Sequence, residues 1–240
     1  MWLVALAVSA AFAGWSSTTI DGEKVEYFEA GPASGPSVLL FHNNFDGVSP
    51  WIQEQARKLG KLGYRVIAPK LSTFEDFGGV KDATRLTKEQ RAEGFRLAGR
   101  RAAAALKLAK GPTAAVGYCH LGGPAAMDLA RQGAAVKAVA ALWGGVTPSD
   151  LSTMWGRRTV KAKILVLLGG SDVETNPYLA SFQEEMRQSK ADWRLVLYGK
   201  ATHAFTIPGP HPDNRGEYDP EADKQSWREL TAFLDENLRR

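Results

Sequence analysis

Three residues able to carry covalent chemistry stand in the order Cys119, Asp172, His203. A cysteine thiolate is a strong nucleophile, and a histidine can take its proton and later return one to a leaving group. A carboxylate can orient the imidazole and stabilise its cation. Nucleophile, acid, histidine is the chain order found where the nucleophile rides a sharp strand-to-helix turn. The turn here is Val116-Gly117-Tyr118-Cys119-His120-Leu121-Gly122-Gly123, preceded by the apolar Ala114 and Ala115 and followed by a helix-compatible run, Pro124 to Arg131. The start of that helix would offer unpaired N–H groups and a positive dipole end to a thiolate and to an oxyanion. A lone cysteine is more commonly a buried structural residue, so its partners must decide between the two.

For the three to meet, the elements between them must end at one edge. The spacing predicts strands at Lys24–Phe28, Val38–Phe41, Tyr64–Ala68, Ala114–Tyr118, Val136–Trp143, Ile164–Leu168 and Trp193–Tyr198. Helices are predicted at Trp51–Leu62, Thr87–Leu108, 178–189 and 222–237. Continuous apolar runs such as Val38-Leu39-Leu40-Phe41 suit parallel strands buried on both faces. Strands alternating with helices give an α/β fold with a mostly parallel central sheet and helices on both faces. The carboxyl ends of such strands share one edge, where ligands bind. Asp172 follows the strand ending at Leu168, and His203 follows the strand ending at Tyr198.

The chain has 240 residues, 44% of them apolar, enough for one sizeable core, and neither a repeat nor a clear linker divides it. Its single cysteine excludes an internal disulfide and a thiol-rich zinc site. The 30 basic and 26 acidic residues are well mixed, so the net charge of +4 does not point to nucleic acid. The four histidines show no zinc-type spacing with a nearby acid, and no metal site is expected. Residues 1–13 are almost wholly apolar and end Ala11-Phe12-Ala13, which reads as a signal peptide lacking its usual basic start. A signal peptide or apolar leader over 1–15 and a single domain over 16–240 are therefore expected, with export slightly favoured over a cytoplasmic place; the alternative for residues 1–13 is an apolar leader or first strand packed on the domain. The apolar stretch is too short to span a bilayer.

From about Ile20 to Leu238 the chain resembles the dienelactone hydrolase family, a branch of the α/β-hydrolases with a Cys-Asp-His triad. The resemblance is carried by Val38-Leu39-Leu40-Phe41-His42, Leu62-Gly63-Tyr64-Arg65-Val66-Ile67-Ala68-Pro69, Val116-Gly117-Tyr118-Cys119, Gly169-Gly170-Ser171-Asp172, His203-Ala204-Phe205-Thr206 and the tail Tyr218-Asp219-Pro220-Glu221-Ala222-Asp223. It implies carboxylesterase or lactonase activity through a covalent acyl-enzyme, a small-molecule ester or lactone as substrate, and no metal or organic cofactor. A monomer or small homo-oligomer fits. The backbone N–H groups of Asn44 and His120 are the matching oxyanion-hole candidates, and His42 and Asn43 are candidate supporting residues.

Three departures qualify this. The family elbow runs Gly-x-Cys-x-Gly-Gly, whereas two residues, His120 and Leu121, separate Cys119 from Gly122 here. Either the turn bulges or the register shifts and brings His120 to the nucleophile position. Asn43 stands where the family usually has a glutamate linked to the cysteine, with Asp46 as a candidate substitute. Ile207 stands four residues after the histidine, where the best-studied type places a carboxylate-binding arginine. Phe74, Phe77, Trp143 and Trp155 are candidates for a more apolar pocket; His211 reads as a surface loop residue. The alternative function is a non-catalytic binding protein of the same fold with a degenerate elbow, in which Leu121 would fill the pocket.

Overall fold

The computed structural model describes residues 12–42, 45, 47–80, 85–146, 160–209 and 216–239. Eight strands form one sheet: β1 (Phe12–Ile20), β2 (Glu23–Gly31), β3 (Ser37–Phe41), β4 (Arg65–Pro69), β5 (Thr113–Tyr118), β6 (Ala138–Leu142), β7 (Lys163–Gly169) and β8 (Trp193–Tyr198). Their spatial order is β1-β2-β4-β3-β5-β6-β7-β8. The run from β4 through β8 is parallel throughout, while β1 and β2 add an antiparallel edge. The fold is thus of the α/β-hydrolase kind, with a mostly parallel sheet.

Alternation along each buried strand sorts side chains between two cores. On one face Leu39, Ile67, Ala115, Val139 and Val166 pack with helices α2 (Lys88–Leu106), α3 (Cys119–Arg131) and α4 (Leu179–Gln188). On the other, Val38, Val66, Val116, Ala140 and Leu165 pack with α1 (Pro50–Lys61) and α5 (Pro220–Leu238). This is why the central strands are apolar at every position: each side chain meets a helix layer whichever way it points. The carboxyl ends of β3, β5, β6, β7 and β8 are therefore carried to one edge by two-sided burial.

β1 reaches well beyond the sequence reading, which offers a first strand only as an alternative for residues 1–13. Its exposure alternates residue by residue, and it pairs with β2 from Phe12↔Gly31 to Ile20↔Glu23. Residues 12–15, read from the sequence as leader, belong to this strand, and Trp15 meets Phe28 edge to face at 5.9 Å. Among the described residues no helix is long and apolar enough to cross a membrane.

The tail motif has a structural task. Asp219 caps α5, its Oδ1 accepting from the N–H groups of Glu221 and Ala222, and Pro220 takes the first helical position, where its missing N–H costs nothing. The Asp219 N–H donates to the Phe205 carbonyl at 3.0 Å, and the Glu217 N–H donates to Thr202 Oγ1 at 2.8 Å. The helix start is thereby tied to the His203 loop. Asp219→Ala is expected to lower stability by about 1 kcal/mol, read as a lower urea midpoint with an unchanged m-value.

Candidate active site

Cys119 is the first residue of α3 and has φ of +59°, a left-handed conformation that side chains adopt at a cost. Such strain lifts the nucleophile out of the strand-to-helix turn. The helix starts at Cys119 and not at Pro124, because the nucleophile itself forms the first turn and Pro124 lies inside the helix. Proline has no N–H, so the His120 carbonyl has no i→i+4 helix bond, and the first turn is looser there.

Glycines let this turn sit against its neighbours, and two of them are decisive. A Cβ on Gly117 would lie 1.9 Å from the Gly122 carbonyl oxygen, and one on Gly122 would lie 2.5 Å from that of Phe41 at the end of β3. The close approach falls on Gly122, three residues after the nucleophile, so the additional residue of the elbow is absorbed without a register shift. Leu121 is only 1% exposed and packs in the core beneath α3, so it does not occupy the site. Gly122→Ala is expected to abolish soluble expression or cost several kcal/mol, since backbone must move; a thermal melt of any soluble fraction reads this.

The topology brings the three separated residues together. Cys119 Sγ lies 3.2 Å from His203 Nε2, and His203 Nδ1 lies 2.9 Å from Asp172 Oδ2. The other carboxylate oxygen of Asp172 accepts from the N–H groups of Glu174 at 2.9 Å and Thr175 at 3.2 Å. Asp172 therefore caps its own turn and faces the imidazole at once. Asp172 is 1% exposed and His203 6% exposed. Burial alone would push the His203 pKa down; the hydrogen bonds to Asp172 and Cys119, and the negative charges behind them, outweigh it and raise it to about 10. Burial likewise opposes ionisation of Asp172, yet the hydrogen bond and charge of His203, helped by the Glu174 N–H, hold its pKa below the usual value. The arrangement favours the protonated form of His203.

Trp143, just after β6, has φ of +39°, sits edge-on to His203 at 5.4 Å and donates its indole N–H to Thr206 Oγ1 at 3.0 Å. It braces the histidine. Trp51, at the start of α1, lies 6.1 Å from Trp143 and 4.9 Å from Tyr118, and is half-buried together with Cys119 and Ile207 against one core. Reading the sequence did not single out Trp51, because its place at the helix start gives no sign of what β5 and β6 bring beside it.

Other candidates fall elsewhere. Phe77 is fully buried, tilted against Phe45 at 4.2 Å between ring centroids and pressed against Gly94, so it is core packing and not pocket wall. Phe74 precedes the short 3-10 turn Glu75–Phe77 and is half-buried. His42 is buried, and its Nε2 accepts the Leu71 N–H at 2.8 Å, tying the end of β3 to the chain after β4. Asn43, Asn44, Asp46, Trp155 and His211 lie outside the described residues. The His120 backbone N–H is in the first turn of α3, whose N-cap residue Tyr118 supplies no side-chain acceptor.

The chain matches the dienelactone hydrolase family over residues 25–238. It belongs to that family. A solved structure described as a dienelactone hydrolase-like promiscuous phosphotriesterase, P91, from metagenomic libraries is similar at 27% identity and a TM-score of 0.79, covering 95% of this chain and 98% of that one. The structure named m3DLH is similar at 25% identity and a TM-score of 0.77, covering 95% and 99%. An uncharacterized protein of Caenorhabditis elegans, K02A2.1, is 33% identical over 127 residues, 51% of this chain and 78% of that protein. Family and geometry agree: this dienelactone hydrolase family member holds a Cys-His-Asp triad suited to covalent hydrolysis of esters and lactones.

Proposed function

We propose that the protein hydrolyses small, largely uncharged esters or lactones through an acyl-thioester on Cys119. The observation that carries this is the continuous chain from Cys119 Sγ through both nitrogens of His203 to the buried Asp172. The thiolate attacks the carbonyl carbon and forms the S–C bond. To the oxyanion that results we assign the first-turn N–H of His120 and the N–H of Asn44 as donors. Collapse breaks the C–O bond, and the leaving alkoxide takes the proton from His203 Nε2. Water then attacks the thioester with His203 as base, the carboxylate departs, and the thiolate is restored.

The substrate class follows from what surrounds the thiol. Trp143 meets the catalytic imidazole edge-on and Trp51 lies beside Trp143, which makes that side of the site apolar, and Ile207 cannot pair with a carboxylate. A neutral aryl or short alkyl ester is therefore preferred over an anionic lactone. Ile207→Arg is expected to raise KM for p-nitrophenyl butyrate by roughly tenfold while improving kcat/KM for a dienelactone carboxylate; a preference for the anionic lactone in the wild type would reject this specificity.

Export is a separate proposal, supported by the apolar residues 2–13 and their small-residue end. Cleavage after Ala13 would leave β1 paired with β2 from Gly14↔Glu29 to Ile20↔Glu23. N-terminal sequencing of protein from its native host should then begin at Gly14, whereas Met1 retained on the recovered protein would remove the idea.

A further inference from the structure

We propose that Cys119, His120 and His203 together form a binding site for a thiophilic divalent cation, Zn²⁺ fitting best, which silences the hydrolase by occupying its nucleophile and base. One donor atom from each of the three residues lies within 4.8 Å of the others. A thiolate with two imidazoles is a donor set that selects zinc over hard cations. The set is invisible in the sequence, because His203 is 84 residues from Cys119.

His203 is already oriented as metal ligands are, and His120 must turn to join it. His203 holds Asp172 through Nδ1 at 2.9 Å, which leaves Nε2 on the side of the sulfur. His120 holds Glu174 through Nε2 at 2.7 Å, which leaves its Nδ1 to bind. A carboxylate behind each imidazole fixes ring orientation and raises ligand basicity. The two rings lie stacked, 8° apart in plane and 4.9 Å between centroids, so the His120 ring must rotate before both lone pairs point at one ion. Glu174 joins the two supports, since its own N–H donates to Asp172 Oδ1. Two carboxylates and the cysteine sulfur then flank the two imidazoles, a setting that suits a dication.

Zinc–sulfur and zinc–nitrogen bonds of about 2.3 and 2.0 Å place tetrahedral donors about 3.5 Å apart. The cluster must therefore draw in by about 1 Å, and His120, with 31% of its side chain exposed, is the ligand with room to move. Three protein ligands leave the fourth position to water. On binding, the proton shared by Cys119 and His203 passes to solvent and the two become metal ligands, so neither can serve acyl transfer. Neither side-chain nitrogen of His120 is used by the triad, so the metal site gives this residue its role.

Only the silencing, not the binding, rests on the hydrolase reading. The test is titration of the metal-free full chain with Co²⁺, whose absorption reports thiolate ligation and tetrahedral geometry, followed by displacement with Zn²⁺. One equivalent is expected to give a thiolate-to-cobalt charge-transfer band and tetrahedral visible bands. His120→Ala and His120→Asn should each weaken binding by about a hundredfold, and Glu174→Gln by about tenfold, with circular dichroism verifying the fold. Equal affinity in wild type and the folded His120 variants, or binding without the charge-transfer band, would overturn the site. If the band forms but no ester is hydrolysed, the site stands and the hydrolase reading falls. If esters are hydrolysed, no band forms and Zn²⁺ does not inhibit, the site falls alone.

Discussion

Cys119→Ala is expected to lower kcat/KM for p-nitrophenyl acetate by about 10³-fold or more, and His203→Ala by a similar factor. The two act as one unit, because the thiol and the imidazole share a proton across 3.2 Å. Losing either one removes the reactive pair, so the double variant should be little worse than either single one. Additive losses would mean that the two residues act independently, contrary to their geometry. Cys119→Ser keeps the shape but replaces the thiol by a hydroxyl, a far weaker acid, and should also fall steeply. Equal rates in wild type and His203→Ala would remove His203 from the mechanism.

Asp172→Asn is expected to cost about 10³- to 10⁴-fold and to move the alkaline limb of the pH–rate profile. The sign follows from His203. Its pKa is raised to about 10, so its imidazolium persists through neutral pH and the leaving group can take the proton. Activity should accordingly decline only as pH rises through about 10. Asp172 is one of the two groups that hold that proton, so the carboxamide should shift the decline towards neutrality. Iodoacetamide labelling of the single cysteine reads the same coupling: near neutral pH, His203→Ala should label more slowly than wild type. The stability linkage has the matching sign. A histidine raised from 6.5 to about 10 stabilises the fold fully below pH 6.5, and that contribution is lost as pH climbs through about 10. An alkaline limb unmoved by Asp172→Asn would show that Asp172 merely caps its turn.

Much of the fold is legible because the central strands are buried on both faces. Runs such as Leu165-Val166-Leu167-Leu168 have few alternatives to a parallel strand between helix layers. The triad is legible for the same reason, since Asp172 and His203 follow strands whose ends share an edge. β1 is hidden because Ser16-Ser17-Thr18-Thr19 has no continuous apolar face and is held by pairing with β2. The His120–Glu174 contact joins residues 54 positions apart, one in the first turn of α3 and one in the turn after β7, and no periodicity links them. Phe77 misleads because an aromatic in a long loop can cover the core as readily as line a pocket. The lengthened elbow is resolved only by three-dimensional proximity: Gly122 meets the end of β3, and Cys119 keeps the nucleophile position.

The most direct measurement is the mass of the enzyme caught during turnover. Wild-type protein mixed with excess p-nitrophenyl butyrate and quenched in acid should carry one butyryl group, located by peptide mapping on Cys119. His203→Ala should show the adduct slowly or not at all. Unmodified Cys119 during steady turnover, together with full activity in Cys119→Ala, would contradict thiol catalysis outright.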